Sequence, residues 1–243
     1  MNRKISLLIV MLVALSAARM PHPARASVQP SLDGIGTDAA CGGSVTISSR
    51  CSAQVLTTNN PDDVVILVVD CIGYNGCPVN VSSIFDSSGL NFQPRVLYAP
   101  NDRLWEYYAR TDFALVSDNI TVVLSADWTL HGMQVFAIKG AGHKVFMPNP
   151  AFPETTLCVV FAVPCSVTVT ASAKDFVMAS TIINDSGPCT LPSGFAELAY
   201  VRGILEVDYH SPNAPSSKLT YSCTDSGPVA IVVDVISFSG LVP

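Results

Sequence analysis

Short apolar segments separated by turn residues are the feature that most constrains the fold of this chain. The run Val64–Val69 consists only of Val, Ile and Leu, which is typical of a strand covered on both faces. Ser166–Ala171 alternates polar and apolar residues, as a strand does when one face meets solvent. Ten further segments of these kinds are Val81–Asp86, Phe92–Tyr98, Leu104–Arg110, Asn119–Leu124, Met133–Ile138, Phe176–Ile183, Phe195–Val201, Ile204–His210, Lys218–Cys223 and Val229–Ser237.

The connections between these segments carry turn residues. Pairs such as Asn75-Gly76 and Ser88-Gly89 suit tight turns, because asparagine and glycine tolerate positive φ. Beyond the N-terminal segment, no stretch of more than about ten residues repeats apolar residues with a helical period. A dozen short strands therefore predict an all-β fold, an antiparallel two-sheet β-sandwich with six strands in each sheet.

Residues 1–26 have the features of a secretory signal peptide. The basic residues Arg3 and Lys4 precede an apolar run of about 14 residues, and a small-x-small cleavage site ends at Ala26. That run is shorter than the roughly 20 residues that span a bilayer, which favours cleavage over a membrane anchor. No later run is long enough to predict a membrane span.

The rest of the chain is predicted to contain one domain. Residues 27–40 are expected to form an extended N-terminal arm, and residues 41–243 the β-sandwich domain. Prolines concentrated in residues 144–154 leave a division into two smaller sandwiches open.

The charge balance argues against nucleic acid as a partner. The whole chain has a net charge of −6, and removal of residues 1–26 leaves nine basic against 19 acidic side chains, a net charge of −10. Nucleic-acid binding needs a basic face, whereas an acidic domain favours solubility and cation binding.

Eight cysteines follow the signal segment, and an even number in an exported chain indicates disulfide bonds. Close spacing predicts the pairs Cys41–Cys51, Cys71–Cys77 and Cys158–Cys165, which leaves Cys189–Cys223. Zinc ligation is the alternative. Zinc sites usually contain cysteines two to four residues apart, and the closest pairs here are six and seven apart.

Four segments carry a resemblance to known proteins: Ser82–Leu90, Leu104–Ala109, Ser117–Val122 and Gly227–Asp234. They resemble segments of secreted β-sandwich proteins of archaea and bacteria, most of which are uncharacterised. The resemblance implies a jelly-roll-like sandwich in a surface or matrix setting. It supplies no catalytic residues that could be assigned to this chain. The eight cysteines depart from the pattern of those proteins.

Three aromatic residues are candidates for ligand binding. Trp105 and Tyr107 lie on one side of their predicted strand, and Trp128 lies in a predicted loop. Aromatic rings stack on sugars, although filling a sandwich core is their commoner role.

Three carboxylates are candidates for glycoside hydrolysis, which needs two such groups across a cleft. Glu106 lies beside Trp105, and Glu206 and Asp208 share one face of a strand. The favoured interpretation is that the alternating Glu206 and Asp208 lie on a solvated face. The chain contains no nucleophile elbow, zinc-protease motif or phosphate-binding loop.

Two further kinds of site are predicted from loops. Asp62, Asp63, Asp118 and Asp127 are candidates for a structural Ca²⁺ ion, the only cofactor that the sequence suggests, although the metal ligands are unknown. N-glycosylation acceptors occur at Asn80, Asn119 and Asn184.

The leading hypothesis is a secreted, non-catalytic protein with a structural or adhesive role at the cell surface or in extracellular matrix. Export, the apolar two-sheet pattern and the absence of catalytic motifs motivate it. The alternatives are a carbohydrate-binding module that uses Trp105, Tyr107 or Trp128, and a glycan-cleaving enzyme that uses Glu106, Glu206 or Asp208. The predicted partners are a second copy of the chain or a glycan.

Overall fold

The structure is a computed structural model. It describes residues 29–37, 48–51, 53–139, 154–158, 165–173, 175–184, 187–201, 203–213, 217–223 and 227–237. No helix occurs in these ranges and every strand pair is antiparallel, which confirms the all-β antiparallel prediction. The predicted signal peptide and Cys41 lie outside the described residues.

Sixteen strands occur in the described ranges. The first nine are β1 (Ser31–Ile35), β2 (Ser48–Arg50), β3 (Gln54–Leu56), β4 (Val64–Cys71), β5 (Val81–Phe85), β6 (Gln93–Tyr98), β7 (Arg103–Arg110), β8 (Asp118–Trp128) and β9 (His131–Lys139). The remaining seven are β10 (Glu154–Leu157), β11 (Cys165–Ala171), β12 (Asp175–Ile183), β13 (Ala196–Val201), β14 (Leu205–His210), β15 (Ser217–Cys223) and β16 (Pro228–Ser237).

The strands before residue 140 form two sheets. The larger has the order β1-β9-β4-β7-β6, and all eight residues of its central strand β4 are buried, as the Val64–Val69 run predicts. In the smaller, β8 pairs with β2, β3 and β5. Burial alternates along β8 from Asp118 to Leu124, because one face packs on the larger sheet and the other faces outward.

The strands after residue 153 also form a larger and a smaller sheet. The larger has the order β10-β16-β12-β14-β13, and its central strand β12 is buried throughout. The smaller contains β11 and β15. Burial alternates strictly along β11, which is the pattern predicted for Ser166–Ala171.

The two larger sheets share one topology. When the five strands of each are numbered along the chain, both sheets have the order 1-5-2-4-3. In both halves the smaller sheet takes strands from between the first and second of these five and from between the fourth and fifth, and in the N-terminal half it also takes β5 from between the second and third. The repeat lies in the connectivity, and no sequence motif marked it.

Three apolar layers join the four sheets. The first layer lies between the two sheets of the N-terminal half and contains Val65, Leu67 and Ile120. The middle layer lies between the two larger sheets, where Phe136 packs against Phe176 at a ring-centroid distance of 6.3 Å. The third layer lies between the two sheets of the C-terminal half and contains Val167, Val169, Ile231, Val233 and Tyr221.

All twelve predicted strands coincide with observed ones, and four strands were missed. The missed strands β2, β3 and β10 contain only three or four residues each, too few to show a period, and the missed strand β1 contains Asp33 and Gly34, residue types that are uncommon in strands. A single sandwich of two six-stranded sheets is not confirmed, because the described strands fall into four sheets. Part of the predicted N-terminal arm is the edge strand β1, which pairs with β9.

Three of the predicted disulfide pairs are observed. Cys71–Cys77 closes the loop after β4, Cys158–Cys165 joins the ends of β10 and β11, and Cys189–Cys223 ties the segment before β13 to β15. Cys51 is also disulfide-bonded. Its predicted partner, Cys41, lies outside the described residues. Structural disulfides therefore replace the zinc alternative for the described cysteines.

Removal of Cys189–Cys223 by alanine substitution is expected to destabilise the protein more than removal of Cys71–Cys77. The sequence separations are 34 and six residues, and loop entropy then predicts losses of about 4 and about 2 kcal/mol. Urea unfolding at equilibrium measures both losses, with each double-alanine variant compared to the parent. Equal losses, or a larger one at Cys71–Cys77, would contradict the expectation.

Candidate functional site

Two of the candidate aromatics face the first apolar layer. Trp105 and Tyr107 point to one side of β7, and Glu106 and Tyr108 point to the other, as alternation predicts. Trp105 is only 4% exposed, so its ring has no free face for a sugar. Tyr107 is half-buried and lines a depression of about 320 Å³ together with Phe92.

The third candidate, Trp128, is the last residue of strand β8, so its predicted position in a loop is wrong. It lies beneath the loop that follows β4. Its indole Nε1 donates a hydrogen bond of 2.8 Å to the carbonyl oxygen of Ile72. A Cβ atom on Gly73 would lie 2.7 Å from the indole ring, so the glycine lets the loop backbone rest on the ring. Trp128 is half-buried and keeps part of its surface in solvent.

The Tyr74 loop, residues 72–78, is held in one conformation by several contacts. The Cys71–Cys77 disulfide spans most of it, and Gly76 donates its backbone N–H to the carbonyl oxygen of Gly73 at 2.9 Å. Gly76 has a φ of 84°, a conformation that suits glycine and strains other residues. The loop is therefore preorganised, which reduces the entropy lost on binding a partner.

Tyr74 lies at the tip of this loop and is fully exposed. It is the most exposed large apolar side chain among the described residues; the others are Ile35, Phe85, Leu97, Phe113 and Val116. Tyrosine is enriched in protein interfaces, because its ring supplies contact area and its hydroxyl supplies a hydrogen bond.

A depression of about 380 Å³ lies beside Tyr74. It is lined by Asn75, Gly76, Cys77, Pro78, Pro100, Asn101 and Trp128. None of these side chains carries a charge. The carboxylate of the adjacent Asp102 accepts a hydrogen bond of 2.9 Å from the backbone N–H of Gly73. The lining combines the indole of Trp128 with the amide side chains of Asn75 and Asn101, groups that can contact a neutral, hydroxylated ligand.

Two of the candidate carboxylates are fully buried in the third apolar layer. Glu206 and Asp208 do share one face of β14, as predicted, but they point towards β11 and β15. The interpretation that this face is solvated is therefore wrong. Alternation showed that the two faces of β14 differ, and the smaller sheet covers the polar one.

The third candidate, Glu106, is fully buried in the middle layer. Across this layer, Arg95 forms two hydrogen bonds of 2.9 and 2.8 Å with the carboxylate of Asp234. Neither oxygen of Glu106 has a hydrogen-bond partner. Burial, and then the nearby Asp234 carboxylate, raise the pKa of Glu106 well above its ordinary value.

Other ionisable side chains share this buried character. Burial raises the pKa of Asp70 well above its ordinary value, and burial lowers the pKa of His131 to about 4. Burial, together with the neighbouring Asp33, raises the pKa of Asp63 to about 7. Each shift favours the neutral form, because an unpaired charge is poorly stabilised in an apolar layer.

The candidate carboxylates do not form a glycosidase pair across a cleft. Glu106 lies in the middle layer, whereas Glu206 and Asp208 lie in the third layer, on the opposite face of the second larger sheet. A glycosidase needs two carboxylates that flank the scissile bond, with room for a sugar between them. Strands cover all three groups, so the described arrangement offers no path for a sugar to reach them.

The calcium candidates are not brought together. Asp118 and Asp127 lie near opposite ends of β8, and Asp118 accepts hydrogen bonds from the backbone N–H and the hydroxyl of Ser87. Asp62 and Asp63 precede β4. Among the described residues, no group of three or more His, Cys, Asp or Glu side chains could hold a metal ion. Structural calcium stays a prediction.

The three glycosylation acceptors, Asn80, Asn119 and Asn184, are exposed. Their positions permit modification, and modification itself stays a prediction. In the part of the chain that the structure describes, no helix is long and apolar enough to cross a membrane.

Neither Tyr74 nor the ion pair between Arg95 and Asp234 was predicted from the sequence. A signal for Tyr74 was present, since Gly73-Tyr74-Asn75-Gly76 is a turn between two cysteines that are six residues apart. No local signal joins Arg95 to Asp234, because 139 residues separate them along the chain.

Comparison of the chain with protein-family models, curated proteins and solved structures finds no match.

Replacement of Arg95 by leucine is expected to cost about 3–5 kcal/mol of unfolding free energy, because the Asp234 carboxylate would stay buried without a cationic partner. The double variant Arg95→Leu, Asp234→Leu is expected to recover much of this loss. Urea unfolding of both variants at neutral pH measures the two changes. A cost below about 1 kcal/mol for the single variant would show that the pair is unimportant.

Proposed function

We propose that the protein is exported and non-catalytic, that it has a structural or adhesive role at the cell surface or in extracellular matrix, and that the Tyr74 loop is its contact surface. The observation that carries this proposal is the full exposure of Tyr74 on a loop held by a disulfide and by Trp128. An exposed aromatic tip on a rigid base suits a partner surface, since little conformational entropy is lost on contact.

The disulfides support the proposed export. All the described cysteines are disulfide-bonded, and such bonds persist in oxidising compartments outside the cytosol. Disulfide cross-links also suit a protein that keeps its shape outside the cell.

The strand order supports a finer proposal about the fold. In each larger sheet the first strand lies beside the last, and the last lies beside the second. This order suits a jelly-roll-like sandwich in each half of the chain. Two such units packed face to face would form a stiff body with loops at its ends, the shape that an adhesive or scaffolding role requires.

The burial of the carboxylates supports the non-catalytic role. Glu106, Glu206 and Asp208 are the acid and base candidates for glycan cleavage, and each is fully buried. Release of reducing sugar from a glycan by the purified protein would overturn this part of the proposal.

A neutral glycan is the second candidate partner, and the depression beside Tyr74 favours it. Trp128 offers part of an indole surface there, while Asn75 and Asn101 offer amide groups for sugar hydroxyls. The absence of charge among the lining side chains suits a neutral sugar better than an acidic one.

The variant Tyr74→Ala is expected to weaken binding of the purified protein to washed envelopes of the producing cells by about tenfold or more. Aromatic side chains at interface centres contribute binding energy of this order. A binding isotherm on intact envelopes measures the change.

The matched control is Phe85→Ala, which removes another exposed aromatic ring, located on β5 and away from the Tyr74 loop. An equal effect of the two substitutions, or none from Tyr74→Ala, would contradict the proposed contact surface.

For the glycan candidate, Asn75→Ala and Asn101→Ala are each expected to weaken binding to a neutral oligosaccharide about tenfold, as loss of one ligand hydrogen bond does. Trp128→Ala is less informative, because it also removes the hydrogen bond to Ile72. A glycan array followed by calorimetry on its strongest ligand measures the change. Unchanged affinity in both asparagine variants would remove this candidate.

A further inference from the structure

A pair of carboxyl groups without a cationic partner lies inside the C-terminal half. Glu206 and Asp208 project from β14 into the third apolar layer, and both are fully buried. They lie close enough to influence each other's ionisation. They lie between the larger sheet and the β11–β15 sheet, so they contribute to the packing of these two sheets against each other.

The two carboxyl groups accept hydrogen bonds from different parts of the structure around the β11–β15 sheet. One oxygen of Glu206 accepts a hydrogen bond of 2.7 Å from the backbone N–H of Cys189, whose disulfide leads to β15. One oxygen of Asp208 accepts a hydrogen bond of 2.5 Å from the hydroxyl of Tyr221 on β15. That hydroxyl also lies 3.1 Å from the hydroxyl of Thr181 on β12, with which it forms a second hydrogen bond. The pair therefore connects β14, β12 and β15.

The second oxygen of each carboxyl group has no hydrogen-bond partner outside the pair, and the two carboxyl groups lie within hydrogen-bond reach of each other. These atoms are Oε1 of Glu206 and Oδ1 of Asp208, and both are shielded from solvent. An ionised carboxylate presents acceptors at both oxygens, whereas a protonated one turns one oxygen into a donor. Because these two oxygens lie in an apolar layer and have no partner outside the pair, the site favours the protonated form of the carboxyl groups.

The groups that face the pair do not neutralise it. Tyr221 on β15 is neutral, and Glu197 on the neighbouring strand β13 adds a further negative charge. His210 follows on the same face of β14, but its ring contacts Phe195 and the carbonyl oxygen of Gly194. Among the described residues, no salt bridge reaches either carboxyl group.

We propose that Glu206 and Asp208 form a proton-dependent lock, which keeps the β11–β15 sheet packed when the pair is protonated and releases it when the pair ionises. The Cys189–Cys223 disulfide still tethers β15 to the segment before β13 when the lock opens, so the sheet can close again. The lock is independent of the proposed contact surface, which lies on the N-terminal half.

The direction of the pH dependence follows from the proton affinities of the folded state. Burial raises the pKa of Glu206 to about 7, and burial raises the pKa of Asp208 to about 8. In the unfolded chain both groups titrate near 4. The folded state therefore binds more protons between these values, so the contribution of the pair to stability is greatest at acidic pH and is lost as the pH rises through about 7 to 8.

Urea unfolding of the exported chain with its disulfides intact, measured from pH 5 to pH 9, tests the lock. Each carboxyl that stays protonated only in the folded state makes the unfolding constant rise about tenfold per pH unit. The slope of the logarithm of the unfolding constant against pH gives the number of protons released on unfolding. Glu206→Gln and Asp208→Asn are each expected to lower this number by about one. Other buried carboxyl groups contribute to the slope of the parent, so the difference between variant and parent isolates the pair.

Asp127→Asn is the matched control, since it removes a carboxylate from an exposed position and should leave the slope unchanged. Slopes for the Glu206 and Asp208 variants that equal those of the parent and the control would overturn the proposal.

Hydrogen exchange on the unmodified protein tests the lock without any substitution. After correction for the intrinsic effect of pH, amides of β11 and β15 should exchange at least tenfold faster at pH 8.5 than at pH 6, while amides of β4 change little. Equal acceleration in β4 and β15, or none in β15, would show that no local opening occurs.

Discussion

Each of the two larger sheets is covered on both faces, and the rest of the structure depends on this constraint. Water is excluded from β4 and β12 along their whole length, and 13 of their 17 residues are apolar. The same constraint acts on every polar group that reaches the layers between sheets. Such a group must find a partner there, as Arg95 and Asp234 do, or remain neutral.

The division between interior and surface separates two kinds of chemistry in this molecule. The carboxyl groups of Glu106, Glu206 and Asp208, which would suggest catalysis if they lay on the surface, are enclosed in the middle and third layers. There, their protonation affects the free energy of unfolding. The Tyr74 loop shows the opposite arrangement, because a disulfide and an indole ring support an aromatic side chain that packs against nothing in the described residues. The proposed contact surface and the proposed response to pH therefore belong to different halves of the chain.

Much of the local structure could be predicted from spacing alone. Twelve of the strands, the side of β7 that each aromatic occupies and the close cysteine pairs depend on residues within about ten positions of one another, a range over which periodicity is informative. The candidate site was predicted less well. Trp128 was identified, but Tyr74 was not, and Trp105 proved to be a core residue. A strand's pattern shows which residues share a face, and it does not show what covers that face.

The sequence by itself determined the all-β class, the positions of most strands and the disulfide partners within short loops, because each of these follows from local geometry. Only the tertiary structure decided that four sheets stack in place of two and that the polar face of β14 is buried. The reason is physical: alternation records a difference between two faces, while the stacking of sheets from distant parts of the chain decides which face meets water. The same stacking brought Arg95 to Asp234 across 139 residues, a meeting that no local pattern encodes.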